Sequence, residues 1–244
     1  QIAKEASISV IEDAAQAFGA KYQGRVVGTM GDIGCFSFDS GKAITTGEGG
    51  MIVTSDEDLF VRCRALHDHG HEYSASESRG GEGAVCVGFN FRMTEIQAAI
   101  GVCQLAKFDD IVSAQRSNKS ELKRRLYEHG LDLSYRRLLD PGEIADTLIV
   151  RTAKQTDADT LALALQTEGS GTKNLPDAIR WHFAKHWQHV FLADGQSTTR
   201  HIGGWPQTEA ILNLAVAIPI GVKMSESALD SISMVIAENL GSET

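Results

Sequence analysis

The sequence predicts an α/β fold in which a mainly parallel sheet flanked by helices is followed by a smaller α+β domain. From residue 8 to about residue 112, short apolar stretches typical of strands alternate with stretches of helical periodicity, the pattern of a parallel sheet covered by helices. After Gly130 the alternation stops, and single strands and helices follow. We therefore expect the sheet domain to cover residues 1–115, and a linking helix with a small C-terminal domain to cover residues 116–244.

The start of the sequence has the character of the interior of a domain. Residues 1–7 are typical of the end of a helix, and residues 8–11 follow at once as an apolar, buried strand. We therefore expect an N-terminal part of the large domain to be absent from the sequence.

The sheet domain contains further strands, helices and one long loop. The strands are expected at residues 9–11, 34–38 and 51–54. Residues 56–66 carry apolar side chains at helical spacing, with Ser55 as the expected N-cap, and residues 94–107 have the same periodicity. Between these helices, residues 70–88 are rich in glycine and serine and lack periodicity, which predicts a long loop.

The second half begins with a long helix at residues 111–129, whose many charges are typical of a solvated face and which can link two domains. The small domain is expected to contain two strands, at residues 147–151 and 215–220. Two helices are expected with them, at residues 157–166 and 225–239.

Composition and charge exclude several classes of function. The 244 residues carry a formal net charge of -9 without a cluster of lysine and arginine, so the charge pattern of a protein that binds nucleic acid or an anionic membrane is missing. No apolar run reaches the length of a membrane span. The four cysteines stand far apart without a C-x-x-C pair, which argues against a zinc ribbon or a disulfide framework and favours reduced thiols in the cytoplasm.

The first candidate site feature is the acidic pair Glu12 and Asp13, which ends the first apolar stretch. Ligands of open α/β sheets bind outside the carboxyl ends of the strands, so Asp13 stands where a site is expected. An acidic residue at this position is also a common helix cap, and that structural role stays open.

A serine and a lysine follow the next apolar strand, within G-C-F-S-F-D-S-G-K. The hydroxyl of Ser37 and the charge of Lys42, or a Schiff base formed by this lysine, suit a phosphate-bearing ligand. A P-loop requires Ser or Thr after its lysine, and Ala43 stands there instead. A nucleotide-binding P-loop is therefore excluded.

Two further segments carry weaker signals. Residues 47–50 contain three glycines, which indicates positive φ or a close approach of the backbone, although a tight turn explains them nearly as well. Asn90 and Arg92 would point to the same side of an extended segment, which suits an anion or a partner surface as well as plain solvation.

The order and spacing of these motifs resemble those found in one protein family. The motifs are V-I-E-D-A-A-Q-A, G-D-I-G-C-F-S-F, a lysine five positions after its serine, T-T-G-E-G-G-M-I-V and G-F-N-F-R-M-T-E-I-Q-A-A-I-G, and they span most of residues 2–128. Together they resemble the DegT/StrS family of sugar aminotransferases, which are pyridoxal 5'-phosphate (PLP) enzymes of the aspartate-aminotransferase, or type I, fold. The resemblance implies that residues 1–115 are the C-terminal part of the large, cofactor-binding domain.

The resemblance implies roles for residues around the cofactor. Asp13 matches the carboxylate that pairs with the pyridinium nitrogen, which keeps the ring protonated as an electron sink. Gln16 matches the residue that lies by the ring and hydrogen-bonds its phenolic oxygen. Ser37 matches a phosphate ligand, and Lys42 matches the catalytic lysine that forms the Schiff base.

The same resemblance implies a shared site and a pair of substrates. Asn90 matches a side chain that reaches the phosphate of the neighbouring subunit's cofactor, with Arg92 beside it, so a homodimer with shared active sites is expected. The amino donor is L-glutamate in most of the family. The acceptor is a keto or aldehydo sugar.

Substrate-side residues are expected first at the end of the second helix. The family has a His-Gly pair there, near the substrate, and His69 matches it. Together with His67 and His71 it forms an alternating cluster without a further ligand at metal-binding spacing, so no metal site is expected.

The C-terminal half carries the expectation about the acceptor. Residues 171–183 resemble the branch of the family that aminates C8 of a 3-deoxy-octulosonate for lipopolysaccharide. Lys173 and His182 would then meet an anionic sugar acid, although either residue can equally be an ordinary surface or packed side chain.

Two other functions stay open. Relatives with histidine in place of the lysine are PLP-dependent sugar dehydratases, an alternative that Lys42 argues against. The scaffold also serves non-catalytic regulators, an alternative that the combination of Asp13, Ser37 and Lys42 argues against.

Overall fold

A computed structural model describes residues 2–187 and 204–241 of the chain. The chain divides into two compact units, which we call the first unit (Gln1–Ile111 with Leu139–Ile144) and the second unit (Val112–Leu138 with Ala145–Thr244). Their assignment to a large cofactor-binding domain and a small domain stays a prediction. Among the described residues, no helix is long and apolar enough to cross a membrane.

The first unit contains a three-stranded sheet. Its strands are β1 (Ile11–Asp13), β4 (Ile33–Ser37) and β5 (Gly50–Val53), in the order β1-β4-β5. β4 runs parallel to β1 and antiparallel to β5. Between β1 and β4 the chain forms a hairpin of β2 (Lys21–Tyr22) and β3 (Arg25–Val26). These two strands are too short to show a hydrophobic period, so the sequence does not predict them.

The buried strand predicted at residues 8–11 is wrong in position and in burial. β1 begins at Ile11, and the side chains of Ile8 and Ile11 are 63% and 67% exposed. The physical reason is that β1 is an edge strand of the described sheet, paired with β4 alone.

The helices of this half lie close to their predicted positions. They are α1 (Ile2–Glu5), α2 (Glu57–His67), α3 (Glu95–Leu105) and α4 (Phe108–Glu128). The N-cap of α2 is Asp56, whose carboxylate accepts a hydrogen bond from the Leu59 amide at 2.9 Å. Ser55 as the cap is therefore wrong, because the helix begins one residue later. At α3, Thr94 and Gln97 form a capping box, which satisfies two amides at the helix start.

The second unit is an α+β unit with an antiparallel sheet in the order β6-β7-β8. Its strands are β6 (Ser134–Tyr135), β7 (Thr147–Arg151) and β8 (Ala215–Pro219). Its further helices are α5 (Gln155–Thr167), α6 (Ile179–His182), α7 (Pro206–Leu212) and α8 (Glu226–Leu240), with a 3-10 turn at Ala184–His186. β7, β8, α5 and α8 confirm the four predicted elements, whereas the other strand and helices are too short for a periodic signal.

One apolar core fills the second unit. Leu148 and Val150 alternate along β7, while Leu161 and Leu165 recur four residues apart on α5, and all four are buried. The two-residue period of the strand and the 3.6-residue period of the helix each place these apolar side chains on one face of their element, and both faces contribute to the same core.

Candidate functional site

The parallel pairing of β1 and β4 builds one edge of the candidate site. Asp13 lies opposite Cys35 in the register, and Ser37 stands two residues further along β4. The carboxyl ends of the two strands therefore place Asp13 and Ser37 at the same edge of the sheet, where ligands of α/β folds bind.

The two acids at the end of β1 have different surroundings. The Glu12 carboxylate accepts hydrogen bonds from the amides of Gly28 (2.9 Å), Met30 and Gly31 (2.6 Å). Burial acts to raise the pKa of Glu12, but these three backbone donors outweigh it and hold the pKa below its usual value. Glu12 therefore fixes the loop that precedes β4.

Asp13 is exposed, and its carboxylate accepts one hydrogen bond, from the amide of Ala15 at 3.1 Å. This contact is a local turn and not the helix cap of the structural alternative for Asp13, because no helix follows β1 before β2. The contact occupies one oxygen, so the carboxylate still has acceptor capacity for a ligand. Gln16, in the turn that follows, is exposed as well.

Close packing behind the edge fixes the position of β4. A Cβ atom added at Gly34 would lie 1.8 Å from the carbonyl oxygen of Gly28, so the loop crosses the strand where only glycine fits. The neighbouring side chain, Phe36, packs edge-on against Phe18 at a centroid distance of 5.2 Å. Ser37 is therefore carried by a strand with little freedom to move.

Lys42 lies in a turn between two buried apolar residues, Phe38 and Ile44. Its amide donates to the Asp39 carbonyl at 3.0 Å, and the Asp39 amide donates to the Ser37 hydroxyl at 3.3 Å. The Lys42 side chain is half-buried, and its amine makes no ion pair or hydrogen bond with the described residues. No described acid therefore competes with a ligand for this amine.

The glycine-rich turn after Lys42 combines both of its expected features. Gly47 has a φ of +84°. A Cβ atom added at Gly49 would lie 2.6 Å from the Thr46 hydroxyl oxygen and 2.8 Å from the Met93 side chain. The glycines therefore serve a tight turn and a close approach of the backbone at once.

The segment with Asn90 and Arg92 lies against the end of α2. Asn90 is exposed and forms an isolated antiparallel bridge with Asp68. The Arg92 guanidinium donates to the Asp68 carboxylate. Arg92 is therefore already paired with an acid, so an anionic ligand would compete with Asp68 for it.

Asp68 is a buried carboxylate that the sequence motifs do not indicate. Its side chain accepts from the Tyr73 hydroxyl at 2.6 Å, from Arg79 at 2.5 Å and from Arg92. The hydrogen bond from Tyr73, followed by those of the arginines, outweighs burial and holds the pKa of Asp68 well below its usual range. Burial and then Asp68 raise the pKa of Tyr73. Because these partners lie up to 24 residues from Asp68 in the sequence, no short sequence motif predicts the cluster.

The three histidines around Asp68 have different partners, and the rings of His69 and His71 pack edge-on at a centroid distance of 6.2 Å. His67 bonds the Arg64 carbonyl at 2.5 Å, and His71 pairs with Glu82 at 2.8 Å. His69 is exposed, with a φ of +57°. Within the described residues, no group of three histidine, cysteine or acidic side chains is arranged to hold a metal ion.

Lys173 and His182 belong to the second unit. The Lys173 ammonium pairs with the Asp146 carboxylate at 2.6 Å, and the Lys173 amide donates to the Ala217 carbonyl. His182 is exposed at the end of α6. The charge of Lys173 is therefore compensated within its own unit.

The sequence matches known sugar aminotransferases and one regulator. The model of the DegT/DnrJ/EryC1/StrS aminotransferase family matches residues 1–237. GDP-perosamine synthase of Escherichia coli O157:H7 is 48% identical over 116 residues, which are 48% of this chain and 30% of that protein. The pleiotropic regulatory protein of Geobacillus stearothermophilus is 30% identical over 241 residues, which are 97% of this chain and 59% of that protein.

The fold is similar to that of the aminotransferase TlmJ from Streptoalloteichus hindustanus. The TM-score is 0.81 at 23% sequence identity, with 100% of this chain and 61% of that chain covered. The predicted type I fold is thereby confirmed. The chain spans between 30% and 61% of the length of these three proteins.

Proposed function

Because the chain belongs to the DegT/DnrJ/EryC1/StrS aminotransferase family, we propose that it is the main part of a PLP-dependent sugar aminotransferase in which Lys42 carries the cofactor. The observation that carries this proposal is the half-buried Lys42 amine, which has no acidic partner among the described residues and follows the strand that ends in Ser37. Because an exposed lysine such as Lys107 also lacks a described acidic partner, the distinguishing feature of Lys42 is its half-burial in the turn that follows Ser37.

The residues at this edge fit PLP. The ring nitrogen needs a carboxylate with free acceptor capacity, which Asp13 has. The phosphate needs hydrogen-bond donors, which the Ser37 hydroxyl supplies, and the aldehyde carbon needs an amine, for which Lys42 is placed. Gln16 is exposed after Asp13 and would donate to the phenolic oxygen.

PLP, when bound, supplies an electron sink for the carbanion that forms when a proton leaves the substrate carbon. Asp13 would hold a proton on the ring nitrogen, because a carboxylate there favours the charged pyridinium form. Lys42 Nζ would anchor the cofactor and, once displaced by the amino donor, would take up and return the proton at the substrate carbon.

We further propose a homodimer with shared sites. Phe89 and Phe91 flank Asn90, stack on each other at a centroid distance of 5.5 Å and are 56% and 67% exposed. Nearby, α3 is rich in apolar residues but has no buried residue. Exposed apolar surface of this extent is typical of an interface, which supports a second copy on this side and a role for Asn90 at its cofactor phosphate.

The proposed substrates are L-glutamate as the donor and a keto or aldehydo sugar as the acceptor, in the cytoplasm. The finer proposal is C8 of a 3-deoxy-octulosonate for lipopolysaccharide, with His69, Lys173 and His182 on the substrate side. It is supported by the resemblance of residues 171–183. The Asp146 carboxylate pairs with the Lys173 ammonium at 2.6 Å, so a sugar acid would have to displace Asp146 in order to bind Lys173.

A non-catalytic regulator is the second candidate. It is favoured by the match to the pleiotropic regulatory protein of Geobacillus stearothermophilus, which covers 97% of this chain. The combination of Asp13, Ser37 and Lys42 argues for the aminotransferase, since a regulator without chemistry has no need of these three residues.

The proposal is tested by Lys42→Ala in the full-length protein, assayed by single-turnover formation of 2-oxoglutarate from L-glutamate, with stoichiometric PLP as the amino acceptor. We expect a loss of at least about 10²–10⁴-fold, the range for removal of a proton carrier. Lys107→Ala, at an exposed lysine after α3, is the matched control and should keep full activity. A near-normal rate of 2-oxoglutarate formation by Lys42→Ala would overturn the assignment, and failure of the unchanged protein to form 2-oxoglutarate would favour the regulator.

A further inference from the structure

The Asp68 carboxylate ties together the two ends of the long loop that follows α2. Asp68 is only 1% exposed. Tyr73 and Arg79 belong to the loop at residues 70–88, while Arg92 lies beyond its end, and all three donate to this one carboxylate. A buried charge is tolerated only when such donors replace its hydration, so the loop must keep its shape for Asp68 to stay satisfied.

Backbone pairing extends this hold to Asn90. The amides of Phe89 and Phe91, on either side of Asn90, donate to the carbonyls of Leu66 and His67 at 2.8 and 2.9 Å. Asn90 itself bridges Asp68. The direction in which the Asn90 side chain leaves the backbone therefore depends on the segment that Asp68 anchors.

Close packing leaves this segment little room to shift. A Cβ atom added at Gly88 would lie 2.2 Å from the Gly70 amide nitrogen. On the other side of the loop, the Arg64 guanidinium lies over the Tyr73 ring at 3.7 Å. The donor to Asp68 is thus itself held in place.

We infer that Asp68 is a positioning residue, which presents Asn90 to a cofactor phosphate and restrains Arg92. This inference rests on the proposed function, in which Asn90 serves that phosphate. Asp68 acts through the two residues: its charge compensates the Arg92 guanidinium, and its contacts fix the loop that carries Asn90. Without Asp68, Arg92 would be free to take another acid and Asn90 would lose its fixed direction.

The same loop offers a matched control in Glu82. Its side chain is only 4% exposed and pairs with His71 at 2.8 Å, and it also accepts from the Ser74 amide at 2.9 Å. Glu82 is thus a second buried carboxylate, but its side-chain contacts stay inside the loop. Glu82→Gln therefore disturbs loop stability without touching the anchor of Asn90.

The first experiment measures amide hydrogen exchange in the full-length protein without added cofactor. In Asp68→Asn, peptides that contain Phe89 and Phe91 should exchange at least about tenfold faster, because their amides lose a fixed acceptor segment. Glu82→Gln should leave those peptides within about twofold of the unchanged protein. Unchanged exchange at residues 88–92 in Asp68→Asn would overturn the inference.

The second experiment measures the dissociation constants of PLP and of pyridoxal, which lacks the phosphate. Asp68→Asn should weaken PLP binding by at least about fivefold and leave pyridoxal binding unchanged. Glu82→Gln should leave both unchanged. A purely structural defect would instead weaken both ligands together.

A double variant tests whether Asp68 acts through Asn90. Asp68→Asn should add little to the PLP defect of Asn90→Ala, because the anchored side chain is already gone. Multiplicative defects would overturn the inference. If Asp68→Asn does not fold, Tyr73→Phe removes one donor to Asp68 and should weaken PLP binding by at least about twofold, and unchanged binding would again overturn it.

These experiments distinguish a failure of the proposed function from a failure of the inference about Asp68. If the unchanged protein binds no PLP, the proposed function fails, while the exchange experiment still decides whether Asp68 anchors residues 88–92. If the unchanged protein binds PLP and Asp68→Asn binds it equally well, the proposed function stands and the inference about Asp68 is wrong.

Discussion

The two compact units differ in how much of their apolar surface they bury. The second unit encloses a cluster of fifteen buried apolar residues, whereas the cluster around Phe38 in the first unit has three. Most large apolar side chains that stay exposed in the described residues belong to the first unit, including Phe89 and Phe91. The second unit therefore buries its own core, while the first unit, which carries the proposed cofactor residues, offers apolar surface for further contacts.

This difference separates residues that hold the fold from residues that are left available for chemistry. In the first unit, the adjacent acids Glu12 and Asp13 represent the two kinds, since Glu12 is satisfied by three backbone amides and Asp13 by one. In the second unit, Lys173 is compensated by Asp146.

The largest effect is expected for Asp13→Asn, which we expect to reduce transamination by roughly 10²–10³-fold, because a neutral amide no longer holds the proton on the cofactor nitrogen. The measurement is single-turnover conversion of L-glutamate by the PLP-loaded protein. Thermal stability should stay nearly unchanged, since Asp13 has only its local contact with Ala15.

Glu12→Gln is the matched comparison. It should cost about 1–3 kcal/mol of unfolding free energy, because one backbone amide of the loop loses its acceptor. The rate of a fully folded sample should stay close to normal. A normal rate in Asp13→Asn would show that Asp13 is only a turn residue.

The second prediction concerns the proposed homodimer, in which a second copy of the chain contacts the first unit. Co-expression of full-length Lys42→Ala and Asn90→Ala should restore activity to about a quarter of normal, because random pairing gives half mixed dimers with one intact site each. Asn90→Ala alone sets the baseline. Failure to exceed that baseline, with mixed dimers demonstrated, would mean that Asn90 serves its own subunit.

The third prediction compares the two units in stability. Leu161→Ala, in the core of the second unit, should cost about 2–5 kcal/mol at every protein concentration. Phe89→Ala should cost less, and its cost should depend on protein concentration, because Phe89 is exposed in the single chain and would be buried in the proposed dimer. Both are measured by urea unfolding at two concentrations. A Phe89→Ala effect that is independent of concentration would break the proposed difference between the units.

The smallest effect is a pH dependence within the second unit. Hydrogen bonds from Arg124 and Arg125 lower the pKa of Glu121 from its usual 4.5 to about 2. Because the folded pKa lies below the unfolded one, this stabilisation is complete above about pH 4.5 and is lost as the pH falls toward 2.

Glu121→Gln tests this directly, because glutamine does not titrate. The difference in urea midpoint between Glu121→Gln and the unchanged protein should shrink as the pH is lowered through this window. A difference that stays constant with pH would show that Glu121 contributes no pH-dependent stability.

The sequence predicts best where a regular period coincides with burial. β7, at Thr147–Arg151, is predicted residue by residue, because its three apolar residues form a short run with a polar residue at each end. α5 and α8 are predicted to within two residues for the same reason. β1 is misplaced because an apolar residue such as Ile8 signals burial in a sequence but remains exposed at this sheet edge.

The candidate site is predicted where its residues are close in sequence. Ser37 and Lys42 lie on one strand and its turn, so a short motif contains them. The Asp68 cluster joins residues up to 24 positions apart, and Lys173 is paired with an acid 27 positions earlier. Such contacts depend on how the chain folds back, and no local period encodes them.

The central claim, that Lys42 carries PLP, is tested most directly by borohydride reduction of the full-length protein with bound PLP, followed by peptide mass spectrometry. Reduction makes the covalent link between a lysine and PLP permanent. We predict a phosphopyridoxyl group on the peptide that contains Lys42 and its loss in Lys42→Arg. A label confined to other lysines, or no label at all, would contradict the account.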